Sequence, residues 1–333
     1  TFHSVFFWIL RNAYNYTGTD IITDAEKYGA VRDSIERHGF RYDSQEDFAR
    51  NVLGEIGCVK SEMCDLKSYE STTMKTDDFR VVYDDYENFL RYRGKIDFDD
   101  MLVFTYELLS QRQDILDMWR NRFQYILIDE FQDINTIQYD TVKLLAKERN
   151  NIFAVGDDDQ SIYGFRGAAP AIMKRFPKDF PGTKIEYLNM NYRCSYDVVE
   201  CSKRIIKNNT DRYDKNLQSA FAPGESDRVH IVKVKDGTEQ NRKIVDKIRE
   251  LNSAGIPYSD IAVIFRTNTE PRALSSKLME NGIPFSMKDS IPNIFTHFLA
   301  ENIFDYIKLA RGCRERRVLL RVINKPNRYI SRD

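Results

Sequence analysis

The chain has 333 residues, 42% of them hydrophobic and 30% charged, a balance typical of soluble globular proteins. Its 50 lysines and arginines nearly cancel 51 aspartates and glutamates, and the formal net charge of -1 excludes a global attraction to nucleic acid or anionic lipid. No run of about eighteen apolar residues exists, so we expect no membrane-spanning helix, and the length predicts two domains or one domain with large insertions.

The five cysteines are odd in number, scattered, and never spaced as C-x-x-C, which argues against a disulfide framework and against a zinc site. We therefore expect reduced structural thiols and a cytoplasmic protein without membrane partners. The sequence begins with Thr1 and lacks the charged and apolar regions of a signal peptide. We expect it to be an internal piece of a longer protein.

Two regions with different sequence patterns follow each other along the chain. Residues 20–93 are polar and charged, with apolar residues at helical spacing, which predicts a helical insertion. After residue 97, short β-branched or aromatic runs alternate with amphipathic helical stretches, which predicts an open parallel α/β sheet. The predicted strands cover residues 125–128, 152–155, 184–188, 229–234 and 261–265. The apolar character of 152–155 and 261–265 indicates strands buried on both faces.

The segment 125–133, YILIDEFQD, delivers two adjacent carboxylates at the carboxyl end of a predicted strand. Ligands of open α/β sheets bind beyond this end, so Asp129 and Glu130 are expected to face a ligand. Asp129 suits a magnesium ion, which prefers oxygen ligands, and Glu130 suits the role of a base that activates water. Taken alone, Asp129 and Glu130 could instead form a solvated turn without a ligand.

The next block, AVGDDDQSIYGFRG at 154–167, is a strand followed by a polar loop. Gln160 offers a donor and an acceptor, so one side chain could contact a terminal phosphate and an attacking water. Tyr163, Phe165 and Arg166 place two aromatic rings beside a guanidinium, a combination that holds single-stranded nucleic acid. Core packing is the alternative for the two rings.

A third block, YLNMNYRCS at 187–195, again runs from a strand into polar residues before a helix. Arg193 could stabilise the charge that develops as a terminal phosphoryl group leaves, and Tyr192 could stack on a nucleobase. Taken alone, Tyr192 and Arg193 could instead be ordinary surface residues without a role in nucleotide binding.

Together these blocks resemble the UvrD/Rep/PcrA-type superfamily 1 DNA helicases. The resemblance extends over nearly the whole chain and also includes segments outside the three blocks. The matching segments are TFHS at 1–4, DFDDML at 97–102, DEFQD at 129–133, GDDDQSIYGFRGA at 156–168, LNMNYRCS at 188–195, IAVIFRTN at 261–268 and NKPNRYI at 324–330.

This resemblance implies an α/β fold with RecA-like parallel sheets of the P-loop NTPase type, a helical insertion and two incomplete core domains. Its implied boundaries are residues 1–19 and 94–190 for the first core, 20–93 for the helical insertion, 191–313 for the second core, and 314–333 for the start of a second insertion.

The resemblance also implies a function, namely ATP hydrolysis with Mg²⁺, coupled to movement along single-stranded DNA in the 3′ to 5′ direction. By motif, Asp129 binds the magnesium ion, Glu130 is the base, Gln160 and Arg193 contact the terminal phosphate, and Tyr192 contacts the adenine. Single-stranded DNA and its junctions with duplex are the implied partners. The implied DNA track consists of Thr1, Phe2, His3, Tyr163, Phe165 and Arg166, where Phe165 replaces the family's frequent tryptophan.

The sequence contains no P-loop, G-x-x-x-x-G-K-[ST], whose backbone amides cradle nucleotide phosphates. At the nearest match, Gly94-Lys95, Phe89 replaces the first glycine and Ile96 replaces the hydroxyl residue. We therefore expect negligible ATP hydrolysis by this chain alone. Two alternative functions stay open, the motor of an AddA/RecB-like helicase-nuclease and a catalytically inactive DNA-binding scaffold.

Overall fold

The computed structural model describes residues 1–40, 45–146, 149–162, 171–224, 228–267, 270–287 and 298–330, which form two compact units, Thr1–Val229 and His230–Asp333. The first unit contains the helices α1 (Phe2–Tyr14), α2 (Asp24–Arg37), α3 (Gln45–Ser61), α4 (Thr76–Arg93), α5 (Phe98–Gln111), α6 (Gln113–Arg122), α7 (Thr136–Ala146), α8 (Ala171–Asp179) and α9 (Tyr196–Ile206). Its strands are β1 (Ile126–Ile128), β2 (Ile152–Ala154), β3 (Met190–Asn191) and β4 (Gln218–Ser219). The second unit contains α10 (Gly237–Ser253), α11 (Pro271–Glu280), α12 (Phe298–Ala310) and α13 (Arg316–Val322). Within these residues, no helix combines the length and apolar character needed to cross a bilayer.

The strands β1 and β2 confirm the predictions for 125–128 and 152–155 and pair in parallel. Ile128 lies opposite Ala154, on the face that packs against the apolar side chains of α7 and α8. Leu127 lies opposite Phe153 on the other face, where their side chains are 74% and 63% exposed. Successive side chains of a strand point to opposite faces, so the prediction of burial on both faces is wrong for β2.

The predicted strands at 184–188, 229–234 and 261–265 are wrong for the described residues. No strand is present in these segments, and the short strand β3 follows the first of them, pairing in parallel with β4. A strand requires a neighbour that accepts and donates its backbone hydrogen bonds, and apolar sequence alone does not supply one. Accordingly, Ile231 and Ile264 are almost fully exposed.

The helices α2, α3 and α4 share a hydrophobic cluster whose buried members run from Ile22 to Leu90. A capping box begins α2, because the Thr23 hydroxyl accepts the Glu26 amide and the Glu26 carboxylate accepts the Thr23 amide. The segment that contains α2, α3 and α4 is closed at its base, where the backbone of Ile96 hydrogen-bonds to Asp20 and Ile22. The beginning and the end of this helical segment therefore lie next to each other.

A buried ion cluster joins α3, α4 and the start of α5. The Nζ atom of Lys60 lies 2.5 Å from Glu87 Oε1, 3.0 Å from Asp97 Oδ2 and 2.8 Å from Asp100 Oδ1. Asp97 also accepts a hydrogen bond from the Tyr86 hydroxyl, and with Asp100 it forms the capping box of α5. The Lys60 side chain is only 3% exposed, so its charge is compensated by these carboxylates and not by water.

The carboxyl group of Asp99 lies beside this cluster, and its ionisation tests how costly a buried negative charge is at this place. Its carboxylate lies against Gly57 of α3, and burial together with the charge of Asp97 raises the pKa of Asp99 to about 6. Because the folded state binds this proton more tightly than the unfolded state, stability falls as pH rises from about 4 to about 6. We expect Asp99→Asn to raise the free energy of unfolding by ~2 kcal/mol at pH 8 and to give no gain near pH 4.

Urea unfolding of wild type and Asp99→Asn at both pH values measures this difference. The exposed Asp33 of α2, changed to Asn, is the matched control and should alter stability little at either pH. An equal effect of Asp99→Asn at pH 8 and pH 4 would contradict the expected burial cost.

In the second unit, α10 and α11 pack through a small apolar cluster that includes Ile248, Leu274 and Leu278. Pro271 occupies the first turn of α11, and the helix ends at Glu280, with Asn281 as its C-cap. The following Gly282 has a left-handed φ of 64°.

Candidate functional site

Asp129 and Glu130 directly follow β1, and both are exposed. The Asp129 carboxylate accepts the amide of Glu130 at 2.9 Å. Glu130 has a φ of 51° and a ψ of 46°, a left-handed conformation that costs a non-glycine residue roughly 1 kcal/mol or more. The two carboxylates therefore lie in a tight turn at the end of β1.

Gln132 connects Glu130 to the loop that follows β2. Its side-chain Nε2 donates to Glu130 Oε2 at 2.8 Å, and its Oε1 accepts the backbone amide of Asp157 at 3.0 Å. Gln132 is 2% exposed, so both amide ends are held inside the protein. A Cβ atom at Gly156 would lie 2.8 Å from Gln132 Oε1, so this close approach requires glycine.

Gln160 lies at the end of the same loop and continues this chain of contacts. Its Nε2 donates to Asp157 Oδ2 at 2.7 Å. Burial opposes the ionisation of Asp157, but hydrogen bonds from Lys215 and Gln160 outweigh it and hold the pKa of Asp157 below its usual range. Hydrogen bonds therefore run from Glu130 through Gln132 and Asp157 to Gln160.

An open cleft of about 670 Å³ brings Gln160 together with the turn that follows β3. The Asn191 side chain supports this turn by accepting the amides of Arg193 at 2.9 Å and Cys194 at 2.8 Å. The residues lining the cleft are Gln160, Asn191, Tyr192, Arg193 and Cys194. Three of the residues predicted to contact ATP thus share one cavity, in which the Tyr192 ring is 77% exposed.

The acidic run Asp157–Asp159 places three carboxylate oxygens within 4.8 Å of one another, but two basic side chains already form ion pairs with all three aspartates. Lys215 Nζ forms ion pairs with all three aspartates, at 2.5 Å from Asp157 and 3.0 Å from Asp159. Arg212 forms a bidentate pair with Asp159, at 2.7 and 2.5 Å. A cation site is therefore not expected here.

Asp129 and Glu130 are exposed at the end of β1, and the charge of Glu130 acts on the nearby Asp133. Within the described part of the chain, none of these three carboxylates forms an ion pair. One oxygen of Asp133 is buried without a hydrogen-bond partner, and desolvation, then the charge of Glu130, raises the pKa of Asp133. Asp129 and Glu130 therefore offer carboxylate oxygens outside any described ion pair at the end of a parallel strand, and magnesium prefers hard oxygen ligands of this kind.

The residues predicted to contact DNA are placed only in part. Thr1 caps α1 by accepting a hydrogen bond from the amide of Ser4, and the partly buried Phe2 forms a T-shaped ring pair with Phe6. The rings of His3 and Phe98 form a second T-shaped pair, with a centroid distance of 5.5 Å. Tyr163, Phe165 and Arg166 lie outside the described residues.

Phe98 is a candidate residue that the sequence pattern missed. Its ring is 47% exposed, and the ammonium of Lys27 lies 5.5 Å from the ring centroid. Burial, followed by the nearby charge of Lys27, lowers the pKa of His3. Phe98, His3 and Lys27 thus form a surface, here called the Phe98 surface, that combines aromatic rings with one positive charge.

Comparison with curated proteins identifies relatives along most of the chain. The chain is 33% identical to the putative ATP-dependent DNA helicase YjcD of Bacillus subtilis over 92% of its length and 40% of that protein. It is 31% identical to the ATP-dependent DNA helicase PcrA of Staphylococcus epidermidis and 30% identical to that of Staphylococcus aureus, over 99% of its length in each case. It covers 46% of either PcrA, so it spans less than half the length of these relatives.

Two protein families match consecutive parts of the sequence. Residues 1–181 match the UvrD/REP helicase N-terminal domain, and residues 187–333 match the UvrD-like helicase C-terminal domain. These matches confirm the α/β fold class of the P-loop NTPase type inferred from the motifs. The chain therefore belongs to the UvrD/REP helicase family.

Proposed function

We propose that this chain forms the magnesium-binding, base and terminal-phosphate part of the ATP site in an ATP-dependent DNA helicase that moves 3′ to 5′ on single-stranded DNA. The observation that carries the proposal is the shared cleft of Gln160, Tyr192 and Arg193. The hydrogen bonds that lead from Gln160 to Glu130 support it, because they tie the proposed base to the residues lining the cleft.

Each side chain has a separate role in this proposal. Asp129 provides a carboxylate oxygen for Mg²⁺, which when bound neutralises charge on the terminal phosphates. Glu130 accepts a proton from the attacking water. Gln160 and Arg193 donate hydrogen bonds to the terminal phosphoryl group, where negative charge increases during transfer. The exposed Tyr192 ring offers a stacking face for the adenine.

The cradle for the other phosphates is not formed by this sequence. No G-x-x-x-x-G-K-[ST] segment occurs in it, so the backbone amides and lysine of a P-loop must come from outside these 333 residues. On this proposal, the chain alone binds nucleotide weakly and does not turn it over, whereas the protein expressed from the complete gene hydrolyses ATP.

The Phe98 surface is one part of the proposed DNA track. An exposed ring accepts a base by stacking, and the Lys27 ammonium attracts the phosphate backbone. Neither contact depends on base identity, so this surface suits movement along single strands of any sequence up to a junction with duplex. The predicted contacts of Thr1, Phe2, Tyr163, Phe165 and Arg166 would extend this track.

The proposal is tested by measuring the rate of ATP hydrolysis by the full-length protein, expressed from the complete gene, as a function of oligothymidylate concentration. We expect DNA to stimulate hydrolysis, and we expect Phe98→Ala to raise the half-saturating DNA concentration about tenfold, because one stacked base is lost. Duplexes with a 3′ or a 5′ single-stranded tail then report the direction of movement, and the 3′ tail should be preferred.

Tyr92→Ala is the matched control, because Tyr92 on α4 is 90% exposed and lies outside the proposed track. It should leave the half-saturating DNA concentration unchanged. If the protein bound DNA without hydrolysing ATP, the catalytically inactive DNA-binding scaffold would be favoured. If the rate of ATP hydrolysis did not change with DNA concentration, the proposal of a DNA motor would be refuted.

A further inference from the structure

The segment 212–219 contacts both sides of the cleft that Gln160 and Arg193 line. We propose that Lys215 and Arg212 in this segment are positioning residues that hold Gln160 in place opposite Arg193. This inference rests on the proposed function, because it assigns the residues that align the terminal-phosphate contact.

Lys215 acts on the Gln160 side through Asp157. One oxygen of the Asp157 carboxylate receives Lys215 Nζ at 2.5 Å, and the other receives Gln160 Nε2 at 2.7 Å. The same ammonium also pairs with Asp158 and Asp159. Its side chain is 19% exposed, so solvent screens these contacts only partly. The Asp157 rotamer that holds Gln160 is thus the one that faces Lys215.

Arg212 and Tyr213 hold the rest of the same loop. The planar guanidinium of Arg212 meets both oxygens of Asp159, a geometry that fixes orientation as well as distance. The amide of Tyr213 donates to Asp158 at 2.7 Å, and its hydroxyl donates to the carbonyl of Met173 in α8 at 2.9 Å. The loop is therefore held along its whole acidic run.

The end of the same segment reaches the Arg193 side. Gln218 and Ser219 form β4, which pairs in parallel with Met190 and Asn191 of β3. The Ser219 hydroxyl donates to the carbonyl of Cys194 at 3.0 Å. Asn191 and Cys194 both line the cleft, so one eight-residue segment is attached to both of its walls.

Loss of the Lys215 charge leaves three neighbouring carboxylates with one remaining basic partner, Arg212. Their repulsion would turn Asp157 away and release the Gln160 amide. Adenine binding at Tyr192 does not depend on this contact. The expected signature is therefore a lower kcat for ATP at a nearly unchanged KM, in protein whose folded fraction equals that of wild type by urea unfolding.

The experiment compares Lys215→Ala, Lys215→Gln and Lys215→Arg in DNA-stimulated ATP hydrolysis by the complete-gene protein. We expect kcat to fall roughly 10- to 100-fold in the first two variants, with KM for ATP within about threefold of wild type, because a small misplacement near the reacting atoms is costly. Lys215→Arg keeps the charge and should recover most of kcat. Lys207→Ala, at the exposed end of α9, is the control and should retain wild-type rates.

A double-mutant cycle separates positioning from an unrelated effect. In a Gln160→Ala background, Lys215→Ala should lower kcat little further, because its target is already absent. Wild-type kcat in Lys215→Ala, or losses that multiply in the double variant, would overturn this inference while leaving the proposed function intact. Unchanged kcat in Gln160→Ala, or no hydrolysis by wild type, would instead refute the proposed function and this inference with it.

Discussion

Replacing Glu130 by glutamine is expected to lower kcat for DNA-stimulated ATP hydrolysis about a thousandfold in the complete-gene protein. The amide keeps the size of the side chain, and it can still hydrogen-bond with Gln132, but it cannot accept the proton of the attacking water. Because magnesium and phosphate contacts stay in place, KM for ATP should change by less than about threefold. Steady-state kinetics at saturating single-stranded DNA measures both constants.

Glu107→Gln is the matched control, since this exposed glutamate of α5 lies outside the proposed site. It should leave kcat unchanged. If Glu130→Gln kept more than about a tenth of wild-type kcat, the assignment of Glu130 as the base would be wrong. A parallel rise in KM would indicate that the substitution disturbs nucleotide binding.

The second large effect concerns stability. Lys60→Met is expected to lower the free energy of unfolding by about 3 to 5 kcal/mol, because it leaves Glu87, Asp97 and Asp100 close together without their cation. This loss is a large part of the total stability of a typical domain, about 5 to 15 kcal/mol. Methionine preserves most of the side-chain volume, so the missing charge and not a cavity causes the effect. Urea unfolding at pH 8 measures it.

The same variant should respond to pH in a defined direction. Burial, together with the charge of Asp97, raises the pKa of Asp100 to about 7, so protonation of this carboxyl relieves repulsion as pH falls. We therefore expect the destabilisation by Lys60→Met to be smaller at pH 5 than at pH 8. Lys67→Met, at an exposed position, is the control. A loss below about 1 kcal/mol at pH 8 would show that the cluster is well hydrated.

The sequence predicted helices in residues 20–93, where α2, α3 and α4 lie, because helical spacing of apolar residues is a local signal. The contacts that begin these helices are equally local, as in the capping box of α2. The strand predictions failed at 229–234 and 261–265 because strand formation depends on a pairing partner that apolar residues do not specify. The exposed face of β2 was missed for a similar reason, since burial depends on what covers the sheet.

Predictions for the site show the same limit. Gln160, Tyr192 and Arg193 come from two separate sequence blocks and share a cleft, and their roles at a nucleotide stay predictions. Gln132 was overlooked although it lies inside the DEFQD block, because its buried contacts with Glu130 and Asp157 exist only in the folded chain. Lys215 is 58 residues from Asp157 and belongs to none of the blocks, so only the structure reveals their contact.

The most direct test of this account is a crystal structure of the complete-gene protein with Mg²⁺ and a nonhydrolysable ATP analogue. We expect the metal at about 2.1 Å from an Asp129 oxygen or joined to it through one water, and the terminal phosphate between Gln160 and Arg193. A nucleotide bound with its terminal phosphate remote from both Gln160 and Arg193 would contradict the proposed ATP site.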